Sequence, residues 1–209
     1  PNGNFSLNGG DKIAVISSRR NAHKLINIFD IEDIRVKNVM ILGAGTVSSY
    51  LAKLLAAGKH SVKIIEKDTS VADEACEFLS DSVAIINGNG MDNELLIEEG
   101  ISSTDAFVAL TGEDESNILA SVNANSQNVS KVITKLNRDE LMPIAENLGI
   151  DTIVSKRNIV ADEIVSYARA LENTIGSQIE TLYSLLTDEV EALEFKVLPD
   201  FDHTNIPPK

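Results

Sequence analysis

The 209-residue chain contains a single cysteine, Cys76, and no tryptophan. One cysteine excludes an intrachain disulfide and leaves no second thiol for a metal cluster. Aromatic residues make up only 4% of the sequence, so the core must consist mainly of Ile, Val, Leu and Ala. We therefore expect a globular protein that is stabilised by aliphatic packing and holds no metal ion.

Positive charge is also scarce, because 18 Lys and Arg residues stand against 32 Asp and Glu residues, for a formal net charge of −14. Binding to nucleic acid or to anionic lipid relies on positive surface charge, so the acidic balance disfavours both. The sequence has no secretory signal and no apolar run of membrane-spanning length. We expect a cytoplasmic protein that does not itself insert into a membrane.

Six short apolar runs rich in Val and Ile follow one another from residue 36 onward, as is typical of strands buried on both faces. They lie at 36–42, 62–65, 83–86, 106–110, 131–136 and 152–154. Helical patterns occupy the intervals: one ends at Gly58, and the others cover 69–80, 92–99, 114–125 and 138–148. This alternation predicts an α/β fold with a Rossmann-like, doubly wound parallel six-stranded sheet and helices on both faces. A ligand should then bind beyond the carboxyl ends of the strands.

The two ends of the chain do not fit this unit. Residues 11–18 resemble a strand and 21–29 a short helix, both placed before the first strand of the sheet. Residues 158–172 form a long helical pattern, and 178–186 and 191–198 resemble two strands. Because two strands cannot bury a face alone, we expect the C-terminal part to be the truncated beginning of a small domain.

The strongest chemical signal is the sequence GAGTVS at residues 43–48, which follows a strand and opens a helix. Gly43 permits a tight turn, and Gly45 lets the backbone approach a pyrophosphate at the positive end of the helix. Ser48 takes the place of the usual third glycine, where a small residue suffices for packing. The pattern favours a nucleotide site over an empty strand-to-helix turn.

A second signal is Glu66, which ends the next strand and follows Gly43 by 23 residues. A carboxylate at this distance accepts hydrogen bonds from the ribose hydroxyls of adenosine and repels a 2′-phosphate. The residue therefore favours NAD or an adenine nucleotide over NADP, although Lys67 weakens this bias. The alternative is a solvent-exposed charge at the end of a strand.

Further candidates lie at the ends of the third, fourth and fifth strands. Asn89 is suited to hydrogen-bond an adenine edge, and Gly90 and Gly112 allow a close backbone approach. Lys135 is suited to neutralise a phosphate, although a solvent-exposed lysine explains it almost as well.

Two acidic residues beside these loops, Asp92 and Asp114, come just before helical patterns. For both, a role as helix N-cap is favoured over a contact with ligand.

No general acid or base is evident near the expected cleft. The histidines, His23, His60 and His203, lie outside the region from strand three to strand six, and no Tyr-x-x-x-Lys pair occurs. We therefore predict a nucleotide sensor that is not an enzyme and has no catalytic residues. The alternatives are the cofactor domain of an NAD-dependent oxidoreductase and a structural oligomerisation module with a degenerate site.

Several segments together resemble the RCK (regulator of potassium conductance, also KTN) nucleotide-binding family, and most closely its Trk-type potassium-uptake regulatory subunits. They are VMILGAGTVSSYLAKLL, VKIIEKD, INGNGMDNELLIEEGISSTDAFVALTGEDESNILAS and VITKLNR. The block at 83–120 is the most specific, because generic dehydrogenases do not share it.

The resemblance implies a cytoplasmic regulatory subunit, peripheral at the inner face of the membrane, that binds NAD(H), or ATP or ADP. It would gate a membrane-embedded potassium transporter subunit and form homo-oligomers, from a dimer through a crossover helix up to a ring. It also implies the second unit of a tandem. Its parts would be the end of a preceding C-terminal domain (1–35), the nucleotide-binding domain (36–156), the crossover helix (157–176) and a truncated C-terminal domain (177–209).

The same resemblance assigns a set of binding residues, in which Asn89 stands where the family more often has Asp and Lys135 where many members have Arg. The expected set is Gly43, Ala44, Gly45, Thr46, Val47, Glu66, Lys67, Gly88, Asn89, Gly90, Thr111, Gly112, Glu113 and Lys135.

Overall fold

Two structural units divide the chain in the computed structural model, one covering residues 34–160 and the other the remaining residues on both sides. The described residues are 6, 8, 36–79, 81–150, 152–172, 178–185 and 190–196. The predicted strand at 11–18 and the predicted helix at 21–29 lie outside these residues. The predicted division of the chain into four parts stays a prediction.

Strands and helices alternate through the first unit, as the sequence predicts. The strands are β1 (Asn38–Leu42), β2 (Ser61–Glu66), β3 (Val83–Asn87), β4 (Ala106–Ala109), β5 (Lys131–Lys135) and β6 (Thr152–Val154). The helices are α1 (Thr46–Ala57), α2 (Thr69–Phe78), α3 (Asn93–Glu98), α4 (Asp114–Ser126) and α5 (Met142–Asn147), with short 3-10 helices at Ile101–Ser103 and Asp139–Leu141. The pattern predicted as one helix at 138–148 is therefore a 3-10 helix followed by α5. Pro143 lies in the first turn of α5, where its missing N–H is tolerated.

The six strands form one parallel sheet in the order β3-β2-β1-β4-β5-β6. Neighbouring residues of β1 point to opposite faces: Ile41 packs in a cluster with Ala52 of α1, and Met40 packs in another with Ala120 of α4. Both faces are thus covered by helices, which explains why the strands lack polar alternation. The doubly wound Rossmann-like fold is confirmed.

The second unit is described in its helix and two strands. Helix α6 (Lys156–Glu172) begins in the first unit and continues past Val160 into the second. Strands β7 (Gln178–Leu185) and β8 (Val190–Lys196) pair antiparallel, with a register irregularity between Ile179 and Thr181. Across the described residues, no helix is both long and apolar enough to cross a bilayer.

Ser48, the residue in place of the third glycine, lies in the first turn of α1 and is fully buried. Within the described part of the chain its hydroxyl oxygen has no hydrogen-bond partner. A second fully buried serine, Ser121, accepts a hydrogen bond of 2.6 Å from the hydroxyl of Thr134. The two serines are therefore equally buried, but only the hydroxyl of Ser121 has a hydrogen-bond partner among the described residues.

We expect Ser48→Ala to raise the free energy of unfolding by about 1 kcal/mol, because it removes an unsatisfied buried hydroxyl and introduces the best helix former. Ser121→Ala should lower it by about 1 kcal/mol, because Thr134 then keeps a buried hydroxyl without its partner. Urea unfolding followed by circular dichroism measures both. A loss of stability in Ser48→Ala would show that its hydroxyl does have a partner.

Candidate functional site

A cleft of about 240 Å³ lies at the carboxyl edge of the sheet. The strand order reverses between β1 and β4, and such a switch point is where doubly wound sheets bind ligands. Nine of the fourteen expected binding residues line the cleft: Gly43, Gly45, Glu66, Lys67, Asn89, Gly90, Thr111, Gly112 and Glu113. Six further lining residues were not expected: Leu42, Ile65, Val71, Met91, Leu110 and Ser116. The unexpected ones are mostly apolar, so they add a surface against which a flat ring can pack.

The turn after β1 needs its first glycine for two reasons. Gly43 has φ +92°, in the left-handed region, and a Cβ there would come within 3.1 Å of the Cα of Thr111. Its N–H donates to the carbonyl oxygen of Ile65 at 2.8 Å. This glycine is therefore required by the protein's own backbone, with or without a ligand.

Gly45 differs, because nothing in the protein requires a glycine at its position. Its φ is −63°, and a Cβ there would meet no atom within 4 Å. It occupies the N-cap position of α1, where no side chain caps the helix. The first turn of α1 therefore presents its N–H groups to an open space that a phosphate can fill.

The carboxylate of Glu66 ties the end of β2 to this turn. One oxygen accepts the N–H of Ala44 at 2.7 Å, and the other accepts the N–H of Asp68 at 2.9 Å. An ionised carboxylate has about four acceptor positions, so two remain for ribose hydroxyls. The role of this carboxylate toward the ribose of a nucleotide stays a prediction.

Lys67 and Glu113 form an ion pair of 3.2 Å between the end of β2 and the beginning of α4. Glu113 also accepts a hydrogen bond of 2.8 Å from the hydroxyl of Ser116. That bond and the nearby ammonium of Lys67 hold the pKa of Glu113 below its ordinary value. The carboxylate therefore stays ionised at neutral pH, and the exposed ion pair is weak enough to be broken by a ligand.

Asn89 forms a turn at the end of β3 and lines the cleft. Its side-chain oxygen accepts the N–H of Met91 at 3.0 Å, and its expected contact with adenine stays a prediction. The next acidic residue, Asp92, caps α3 by accepting the N–H groups of Glu94 and Leu95. Its predicted role as N-cap is confirmed.

The N-cap prediction for Asp114 is wrong. Helix α4 begins at Asp114 itself, and Glu113 occupies the N-cap position. The Asp114 carboxylate is buried and accepts hydrogen bonds from the backbone N–H groups of Asn137 and Arg138, each about 3 Å long. These partners lie after β5, so a contact between distant segments replaces the local cap.

Asn117 is a structural residue of the site that the sequence did not reveal. It is fully buried, and its side-chain oxygen accepts both the N–H and the hydroxyl of Thr111, at 2.9 and 2.7 Å. Its amide nitrogen donates to the carbonyl oxygens of Thr111 and Lys135, at 3.2 and 2.9 Å. One feature of the sequence could have indicated it. Asn117 is a polar residue and a poor helix former, and helical spacing places it on the same face of α4 as the buried Ser121 and Ala124.

Five expected binding residues do not line the cleft. Ala44 is buried beneath it, with its N–H bonded to Glu66. Lys135 is half-buried, and its carbonyl oxygen accepts from Asn117. A Cβ at Gly88 would come within 2.5 Å of the Leu95 side chain, so that glycine serves packing. The last two, Thr46 and Val47, are exposed in the first turn of α1.

The described residues that line the cleft include no histidine, tyrosine or cysteine. His60 lies at the opposite edge of the sheet, where its Nδ1 atom is 3.0 Å from the carbonyl oxygen of Val36. No group of metal-ligating side chains occurs in the described ranges. The ionisable side chains of the cleft are Glu66, Lys67 and Glu113.

Residues 39–156 match the model of the TrkA-N domain family. The chain is 32% identical over 196 residues to Trk system potassium uptake protein TrkA homolog 2 of Methanosarcina mazei, with 93% of this chain and 42% of that protein covered. It is 35% identical over 183 residues to the TrkA homolog of Archaeoglobus fulgidus, with 86% and 41% covered. The chain therefore spans about two fifths of the length of these curated relatives.

Among solved structures, the fold is similar to the GsuK channel bound to NAD, with a TM-score of 0.58 and 15% identity over 75% of this chain and 26% of that one. A structure of GsuK bound to ADP gives a TM-score of 0.53 at 15% identity, over 65% of this chain and 35% of that one. At such identities the likeness shows the shared fold.

Asn117→Ala should lower the free energy of unfolding by about 2 kcal/mol, because it removes four hydrogen bonds of a fully buried side chain to the half-buried Thr111 and Lys135. The matched control is Asn123→Ala on the same helix, whose amide donates to Asn93 at an exposed position and should change stability by at most about 0.5 kcal/mol. Urea unfolding compares the two. Equal effects would mean that Asn117 contributes no more than a surface asparagine.

Proposed function

Because the chain belongs to the TrkA-N domain family, we propose that it is the nucleotide-sensing part of a regulatory subunit in a potassium transport system. The observation that carries this proposal is the cleft at the switch point. Gly45, the N-cap residue of α1 without a side-chain cap, lines this cleft together with the Glu66 carboxylate, which two backbone N–H groups hold at the end of β2. The lining offers two carboxylates as hydrogen-bond acceptors, and its described residues include no histidine, tyrosine or cysteine that could act as acid or base. We accordingly propose binding without turnover.

The proposed ligand is NAD(H), with ATP or ADP as the alternatives. The phosphates would lie at the first turn of α1, and the adenosine would extend over the ends of β2 and β3 toward Glu66 and Asn89. Support comes from the neighbouring fold, since GsuK has been solved with NAD and with ADP. The apolar side chains of Val71 and Met91 line the same side of the cleft and suit an adenine ring.

The proposed output is a change in a membrane-embedded potassium transporter subunit, to which this chain would bind at the cytoplasmic face. A ligand shifts only an equilibrium between states that it binds unequally. We place the element that changes state in helix α6, which runs from one unit into the other. The relatives' names, which refer to potassium uptake, support this assignment.

Helix α6 is also the proposed contact between two copies of the chain, from which a ring would be built. Its exposed apolar side chains are Ile159, Val160, Ile164, Val165 and Tyr167. A helix with this many exposed apolar residues is typical of a surface that is covered in an assembly.

Isothermal titration with NADH, NAD, ATP and ADP tests the binding proposal, and at least one of them should bind. Gly45→Ser should weaken that binding at least tenfold, because the new side chain fills the phosphate position. It should also raise stability by a few tenths of a kcal/mol, because serine caps a helix better than glycine. Failure of all four nucleotides to bind the folded chain would refute the proposal, and unchanged affinity in Gly45→Ser would refute this placement of the phosphate.

Analytical ultracentrifugation tests the assembly. Ile164 is 62% exposed, so Ile164→Glu should leave folding intact and convert a dimer into monomers. Leu54→Glu is the matched control, because Leu54 is 73% exposed on α1, outside the proposed interface. A wild-type chain that is monomeric at all concentrations, or a dimer disrupted equally by both variants, would contradict the role of α6.

A further inference from the structure

Three loops lie side by side at the carboxyl edge, because β2, β1 and β4 are adjacent in the sheet. The middle loop carries the open turn at Gly45. The loop on one side begins at Glu66, and the loop on the other side ends at Glu113. The proposed phosphate position is therefore flanked by a carboxylate on each side.

The net charge of the described cleft residues is negative, so it disfavours the binding of a chain of phosphates. Two carboxylates and one ammonium give the lining a net charge of −1. The ammonium of Lys67 is already paired with Glu113 at 3.2 Å. A terminal phosphate placed on the β4 side would meet the Glu113 carboxylate at close range, whereas a hydroxyl group there would find an acceptor.

The Glu113 carboxylate is held in place by its surroundings. The hydroxyl of Ser116 donates to one carboxylate oxygen at 2.8 Å. The backbone N–H of Glu113 donates to the hydroxyl of Thr111 at 3.2 Å. Thr111 is in turn fixed by the buried Asn117. The acceptor is therefore oriented before a ligand arrives, which reduces the entropy lost on binding.

We propose that Glu113 selects a dinucleotide over a nucleoside di- or triphosphate, by accepting the hydroxyls of a second ribose and repelling a terminal phosphate. The inference rests on the proposed function and deepens it. On binding, Lys67 leaves Glu113 for the pyrophosphate, since an exposed ion pair stabilises the free protein little. Glu66 and Glu113 then each bind one ribose, with the phosphates between them at the first turn of α1.

The test compares Glu113→Gln with Glu115→Gln, two identical changes of charge two residues apart. Glu115 is exposed, pairs with Arg138 and does not line the cleft. Affinities for NADH, ADP and ATP are measured by titration calorimetry in magnesium-free buffer, and thermal unfolding confirms that both variants are folded. Glu113→Gln should weaken NADH binding and tighten ADP and ATP binding, lowering the selectivity for NADH over ADP about tenfold. Glu115→Gln should change this selectivity less than twofold.

Two results would overturn the inference and leave the proposed function standing. One is that the wild-type chain binds nucleotide and that Glu113→Gln leaves the selectivity for NADH over ADP unchanged. The other is an equal change in both variants, which would show an effect of net charge alone. If the wild-type chain bound none of the three nucleotides, the proposed function would fail together with the inference.

Discussion

The close approach of the β1 turn to the β4 loop is the constraint on which the site depends. Parallel pairing of β1 with β4 brings Gly43 so near to Thr111 that a Cβ would lie 3.1 Å from its Cα. This contact sets the edge of the cleft. The chain continues from Gly43 into the turn at Gly45 and from Thr111 to Glu113, and all four residues line the cleft. Asn117, whose side chain is fully buried, then fixes Thr111 with three hydrogen bonds.

The charges around this contact come from the carboxylates of Glu66 and Glu113 and the ammonium of Lys67. Glu66 joins the turn to β2 through two backbone N–H groups, and Glu113 is oriented by Ser116. Both carboxylates act as hydrogen-bond acceptors. The β4 loop is also tied to the segment after β5, because the buried carboxylate of Asp114 accepts hydrogen bonds from the N–H groups of Asn137 and Arg138.

Most of the fold and the central part of the site were predictable from the sequence, for local reasons. Val- and Ile-rich runs separated by amphipathic patterns predicted six strands within a few residues of their bounds. The turn at Gly43, the carboxylate at Glu66 and the cap at Asp92 followed from spacing along the chain. Asp114 was misassigned because its partners, Asn137 and Arg138, are distant in sequence. Asn117 was missed because its partners are the loop residue Thr111 and the distant Lys135, which no helical periodicity indicates. Local pattern carries no information about which distant backbone groups need a partner.

The sequence by itself determined the order of the elements, the negative net charge and the glycine turn at 43–45, since these depend on composition and on neighbours within a few residues. Only the tertiary structure decided how each residue is used. It left the hydroxyl of Ser48 buried with no hydrogen-bond partner among the described residues, and it placed Gly88 against Leu95 and Lys135 away from the cleft lining. It also brought Lys67 and Glu113, 46 residues apart, into one ion pair across the cleft. The physical reason is that burial and pairing depend on distances in space, which the sheet order sets and spacing along the chain does not.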